Sequence, residues 1–248
     1  MVLDELFGKK PRKEEPAADI EKHDEASLDR QGVQAAYYRK IIERYAALIN
    51  ENEEKTIPEL KALVDSNAEA VQELRKQVLE QLAEKKKALG THAEGAPYDY
   101  ESDFLLAAEA ALGAVRGLKA VHPEVSVSFW LSPKEILELG AADVFDKAIL
   151  LCSLLKSLGS QARILVLELE NRHIHPVVAF AYSGRDYALD ACQSGSQLST
   201  YSGVLDEALK TLAYGGSKFL KKSYEFDNDK YTEFEEAKEG GSLAANSP

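Results

Sequence analysis

Apolar side chains recur at three- and four-residue steps through Val33, Tyr37, Ile41, Tyr45 and Leu48, the spacing of one helix face. Asn50 to Lys55 is polar. Thr56-Ile-Pro-Glu59 then has the form of a capping box, with Pro58 in the first turn, where its missing N–H costs nothing. A second stripe runs through Leu60, Leu63, Leu74, Val78 and Leu82 toward Leu89, thinning at Asn67 and Ala68. The pattern predicts an α-helical hairpin over residues 28–90, two antiparallel helices joined by a short turn. Such stripes either pair as a coiled coil that binds a partner or a second copy, or pack against the chain's own globular part.

On either side the pattern changes. Residues 1–27 are rich in Lys, Glu, Asp and Pro with few large apolar side chains, so a disordered tail is expected there. Residues 91–100 read as a linker, and 237–248 as a second loose tail. The globular domain is expected over 101–236. It opens with a helix from Ser102 to about Lys119, in which Gly113 and Gly117 are expected to allow close contact. Ser132-Pro-Lys-Glu135 is a second capping box, starting a short helix that ends at Gly140. Asp143 is an N-cap candidate with Asp146 three residues on. The run Ala148 to Leu155 is apolar nearly all round, which predicts a helix at the centre of the core, closed by Gly159. Arg163 to Leu169, Val177 to Tyr182 and Asp186 to Asp190 read as strands, with Ser183-Gly-Arg as a hairpin turn. The expected class is α+β: a buried central helix packed on an antiparallel sheet, preceded by the helical hairpin.

Composition narrows the function. The formal net charge of -12 argues against nucleic acid, whose phosphates demand concentrated Lys and Arg. The Lys85-Lys86-Lys87 run reads as a solvated helix end. No apolar stretch approaches the roughly 20 residues of a membrane span, so no membrane is expected. The first residues lack a secretory pattern, which makes a cytoplasmic location the expectation. The 2 cysteines, Cys152 and Cys192, are too few for a disulfide framework and lack metal-ligand spacing. His173 and His175 share a strand face without a convincing third ligand. No metal and no cofactor are expected.

One segment carries a more specific signal. Trp130-Leu-Ser-Pro133 and Ala142-Asp-Val-Phe-Asp-Lys-Ala-Ile-Leu-Leu151 are followed by Leu155-Lys-Ser-Leu-Gly-Ser-Gln-Ala-Arg163, by His175 before an apolar strand, and by Leu189-Asp190. This ordered series, from about Ser102 to Cys192, resembles the transglutaminase-like superfamily of the papain-type cysteine-enzyme architecture. The family pairs a Trp-x-x-Pro segment with a Gly-Asp-Cys-Glu-Asp-Lys-Ala-Ile-Leu-Leu helix, then places a His and an Asp on successive strands. The resemblance implies a Cys-His-Asp triad: a helix N-terminus favours the thiolate, the His takes its proton, and the Asp fixes the imidazole. The histidine maps to His175 and the aspartate to Asp190. The cysteine maps to Val144, and an isopropyl group cannot attack a carbonyl.

Neither cysteine replaces it simply. Cys152 lies about 12 Å further along the helix axis and reads as a small buried hydrophobe. Cys192 follows Asp190 by two residues, about 7 Å on along a continued strand, and is the candidate alternative nucleophile. Trp130, Asp143, Phe145 and Asp146 are expected to line a cleft made more apolar by Ala142 and Phe145, where the family has glycine and an acidic residue. The reading is a catalytically inactive transglutaminase-like protein that binds a peptide or protein partner, with homo-oligomerisation through residues 28–90 as a further surface. The alternative is a hydrolase or acyl transferase in which Cys192 or an activated water uses His175 and Asp190.

Overall fold

The computed structural model describes residues 17–51, 55–88, 97–122, 129–192, 202–211, 214 and 216–234. Residues 1–16 and 237–248 of the expected tails, and 91–96 of the expected linker, lie outside these. Helix α1 (Ala17–Glu51) begins inside the segment expected to be a tail. The residues from Ala17 to Ser27 are mostly Ala, Asp, Glu and Lys with no Gly or Pro, and extending an established helix adds one hydrogen bond per residue without a new nucleation cost. At Tyr45 the helix is kinked (φ -108°, ψ 18°). The Tyr45 hydroxyl donates to the Trp130 carbonyl at 2.5 Å.

The second predicted helix is split into α2 (Ile57–Ala62) and α3 (Glu69–Ala88). Glu59 accepts the Thr56 N–H at 2.8 Å, closing the capping box on α2. Between the two helices the Asp65 carboxylate accepts the N–H groups of Asn67 (2.8 Å) and Ala68 (3.0 Å), a local turn that competes with helix where the stripe thins. The stripes of both regions face the globular body. Tyr37, Ile41 and Tyr45 of α1 and Val71, Val78 and Leu82 of α3 are buried in one cluster with Phe104, Ala107, Ile136 and Leu150. Of the two uses such stripes allow, packing on the chain's own domain is the one displayed. Lys86, expected at a solvated end, is instead buried and paired with the buried Asp103.

Helix α4 (Tyr100–Arg116) is capped by Asp99, which accepts the Ser102 N–H at 3.1 Å. Contrary to expectation, Gly113 marks no close approach: a Cβ there would meet open space. Strand β1 (Lys119–Ala120) pairs in parallel with β2 (Ala141–Ala142), and α5 (Pro133–Leu139) lies between them in sequence. Helix α6 (Val144–Ser157) is buried from Phe145 to Leu155, and the chain leaves it through Gly159 at φ +100°. Each fully buried Leu or Ile of such a helix contributes about 1.5–3 kcal/mol relative to exposure.

The sheet follows. β3 (Arg163–Leu169), β4 (Ile174–Tyr182), β5 (Arg185–Leu189), β6 (Ser202–Gly203), β7 (Phe219–Phe226) and β8 (Tyr231–Glu233) run in the order β6-β5-β4-β3-β7-β8, all neighbours antiparallel. Ser183 (φ 50°) and Gly184 (φ 72°) make the β4–β5 turn with two left-handed residues, the geometry that matches strand twist. Helix α7 (Leu205–Thr211) joins β6 toward β7. Sequence patterning misses β7 because Phe219-Leu-Lys-Lys-Ser-Tyr-Glu-Phe226 does not alternate cleanly; its register against β3 shifts at two places.

The sheet separates two apolar clusters. Ile164, Val166, Val178, Phe180, Tyr187 and Leu189 face α6, whereas Leu165, Leu167, Val177 and Ala188 pack with Leu209 and Tyr214 on the other side. A buried helix on an antiparallel sheet is the α+β plan expected. Among the described residues no helix is long and apolar enough to cross a membrane.

Candidate functional site

His175 stands near the start of β4, opposite Leu167 of β3, and Asp190 just past the end of β5. His175 Nε2 and Asp190 Oδ2 are 2.7 Å apart. An ionised carboxylate can only accept, so Nε2 carries the proton and the Nδ1 of a neutral ring keeps its lone pair. Asp190 is 1% exposed, and its other oxygen accepts the Cys192 N–H at 2.7 Å. Its backbone carbonyl accepts from Arg116 at 2.7 Å. The Tyr214 ring meets the imidazole edge-on, centroids 5.3 Å apart, and the Tyr214 hydroxyl donates to Leu209 at 2.8 Å. The imidazole is therefore fixed in tautomer and orientation, with a base nitrogen to offer.

A second polar group is built at the start of α6. Asp143 accepts the Asp146 N–H at 2.8 Å, and Asp146 accepts the Asp143 N–H at 3.4 Å and the Leu131 N–H at 2.8 Å. Burial pushes both carboxyl groups above the usual range, and the Asp143 charge raises Asp146 further. The Tyr37 hydroxyl lies against both; burial and the two carboxylates push its pKa up. Trp130 and Phe145 stack at 4.5 Å with planes 16° apart, and are 6% and 7% exposed. The four residues expected to line a cleft are thus buried. Their reason is local: the carboxylates are consumed in capping a helix end and orienting Leu131, and the indole and phenyl rings remove each other from water.

Val144 is the first residue of α6 and is partly buried against the cluster on the α6 side. His175 shares its strand face with Val177 and lies across from Leu167, residues of the other cluster. Cys152 is fully buried, and burial pushes its thiol well up. Cys192 occupies an exposed position. The protein packed about its sulfur, and then the Asp190 carboxylate, push that thiol up to about 12. Asp143 and Lys147 are also close enough to act on it, which sets Cys192 near the start of α6. His173 is exposed in the β3–β4 turn, where its N–H donates to Asn171 at 3.2 Å. No group of three His, Cys, Asp or Glu side chains among the described residues could hold a metal ion.

Two cations of this region were not singled out from sequence. Arg116 braces the chain at Asp190 from α4. Lys147 is buried and donates to the Leu118 carbonyl at 3.0 Å; burial pushes its ammonium down. The signal for Lys147 was present, since it is the one cation in the run Val144 to Leu155.

No family model matches the chain, and no curated protein matches it in sequence. Among solved structures it is similar to Legionella pneumophila LapG, with 16% identity over 66% of this chain and 87% of that chain, at a TM-score of 0.43. The calcium-bound form of Legionella pneumophila LapG is similar with 16% identity over 67% of this chain and 93% of that chain, at a TM-score of 0.37. A proposed cysteine protease from Cytophaga hutchinsonii shares 14% identity over 50% of this chain and 38% of its own, at a TM-score of 0.33. Each superposes on the chain only in part.

Proposed function

We propose that the chain is catalytically silent and acts by binding a peptide or protein, with His175 and Asp190 kept as a structural pair and Val144 standing where the resemblance expects a nucleophile. The observation that carries this reading is Val144 at the opening of α6. Thiol chemistry needs a thiolate poised beside a base. Cys152 is enclosed, and the Cys192 thiol, at about 12, holds its proton at neutral pH. A binding role also suits the outer face of α1, where Ile42 and Ile49, seven residues apart, are 59% and 40% exposed. That face is the surface through which a second copy or a protein partner would engage residues 28–90.

One observation favours a second reading, hydrolysis by an activated water: the Nδ1 lone pair of His175 has its tautomer fixed by Asp190. The two readings part on turnover. The full chain incubated with fluorescently labelled peptides is expected to raise their anisotropy while leaving them intact. Peptide cleavage or ester hydrolysis that disappears in His175→Ala would replace binding by catalysis. Val144→Cys supplies a further check. Its thiol is expected to alkylate at an ordinary rate, because the positive end of α6 is already met by Asp143 and Asp146. An unusually fast thiol whose rate falls in His175→Ala would mean that the catalytic geometry is intact.

A further inference from the structure

Lys55 precedes the capping box of α2, and its ammonium is surrounded by rings. Nζ lies 3.7 Å from the Trp130 ring centroid, 5.3 Å from that of Tyr45 and 5.4 Å from that of Phe129. The rings hold one another. Tyr45 and Phe129 pack at 4.6 Å, the Tyr45 hydroxyl is bonded to the Trp130 carbonyl, and Phe145 stacks on the indole, leaving its other face to the cation. These residues come from α1, the α1–α2 connection and the segment before α5, so the arrangement is assembled by the fold.

The ammonium is seated in an unusual way. Its nitrogen is buried and has no hydrogen-bond partner among the described residues. An ammonium carries three N–H donors, and leaving such donors unmade in a buried setting is costly. The surrounding charges are not in bonding contact. Asp146, Asp143 and Glu59 attract the cation and Arg44 repels it, while burial, the largest influence, pushes the ammonium down to about 7. The rings offer attraction to positive charge and no acceptor. A cation dressed in methyl groups has no donor to lose and keeps the whole of that attraction.

We infer that Tyr45, Phe129 and Trp130 form an aromatic cage for a quaternary ammonium group, and that Lys55 fills it as an internal plug. The group would belong to a small molecule or to a trimethylated lysine side chain; the cage chemistry is the same. The inference is independent of whether His175 is catalytic.

Trp130 is the single tryptophan of the chain, so its fluorescence reads the cage directly. The full chain, Lys55→Ala and Lys55→Ser are titrated at constant ionic strength with tetramethylammonium chloride and, as control, methylammonium chloride. Saturable fluorescence changes are expected for tetramethylammonium, with half-saturation about tenfold lower in the variants than in the wild type, because no plug has to be displaced. Methylammonium should bind more weakly, and adding Phe129→Ala should abolish the change. Choline and acetyl-trimethyllysine amide then distinguish a free ligand from a side chain by which saturates first. Folded variants that show no saturable change, an equal response to methylammonium, or binding that survives Phe129→Ala would overturn the cage. Equal half-saturation in wild type and variants would overturn the plug. Should neither variant fold, the wild type decides: a saturable change that Phe129→Ala removes is expected, and its absence refutes the site.

Discussion

Replacing Lys86 by methionine removes the cation that α3 sends to Asp103 of α4 and leaves the carboxylate in place. Lys86 is 8% exposed and Asp103 1%. Breaking a buried pair by deleting one partner typically costs about 3–5 kcal/mol, because the remaining charge stays out of water. Asp103 also accepts the Asp99 N–H at 3.0 Å and the Ser102 hydroxyl at 3.1 Å, so the cost should fall near the lower end. An exposed pair such as Lys76–Glu73, on the outer side of the same helix, should give only about 0.2–1 kcal/mol. The pH dependence has a definite sign. Burial raises the Asp103 carboxyl, but the Lys86 ammonium and the Asp99 and Ser102 donors together hold it below its ordinary value. Its contribution is therefore complete above about pH 4 and is lost as pH falls through the depressed folded value. Urea unfolding at pH 7 and near pH 3 reads both quantities. Lys86→Met should lose about 3 kcal/mol at pH 7 and less in acid, and Lys86→Met with Asp103→Leu should recover much of it. A loss below about 1 kcal/mol at pH 7 would refute the reasoning, since the Lys86–Asp103 pair would then be worth no more than an exposed one.

Two further outcomes follow from the start of α6 and the end of β5. Iodoacetamide should alkylate Cys192 slowly at pH 7 and about tenfold faster per unit of pH until the thiol titrates near 12, with Cys152 silent throughout; a fast, pH-independent reaction at neutral pH would contradict the crowded sulfur. Asp146, whose folded carboxyl lies above its unfolded value, contributes stability that is complete in acid and lost as pH rises. The urea midpoint of Asp146→Asn relative to wild type should therefore climb from pH 4 to pH 8, and a flat or falling difference would count against the buried pair.

Local chemistry was the most legible part of the sequence. The capping boxes at Thr56, Ser132 and Asp143 and the Ser183-Gly184 turn depend on neighbours within a few residues, and all four form. The apolar run Ala148 to Leu155 leaves a helix no solvent face, so its central place was readable too. Partners across the chain were not. An amphipathic stripe states that a helix must be covered without naming the cover, so the destination of α3 on α4, α5 and α6 was open. Sequence position likewise carries no depth: Trp130, Asp143, Phe145 and Asp146 were expected at a cleft yet are buried. The His175–Asp190 bond was anticipated from the resemblance, with spacing on successive strands as its signal. The Lys55 cage joins residues 45, 55, 129 and 130, and nothing in the sequence brings these together before the chain folds.

Among the described residues the rims of the main sheet are short: β6 spans 2 residues and β8 spans 3. A rim strand of two or three residues offers an intruding strand few backbone groups to template on, a feature that disfavours edge-to-edge association. A polypeptide partner of the kind proposed above would then meet side chains presented by the helices before it met a sheet edge.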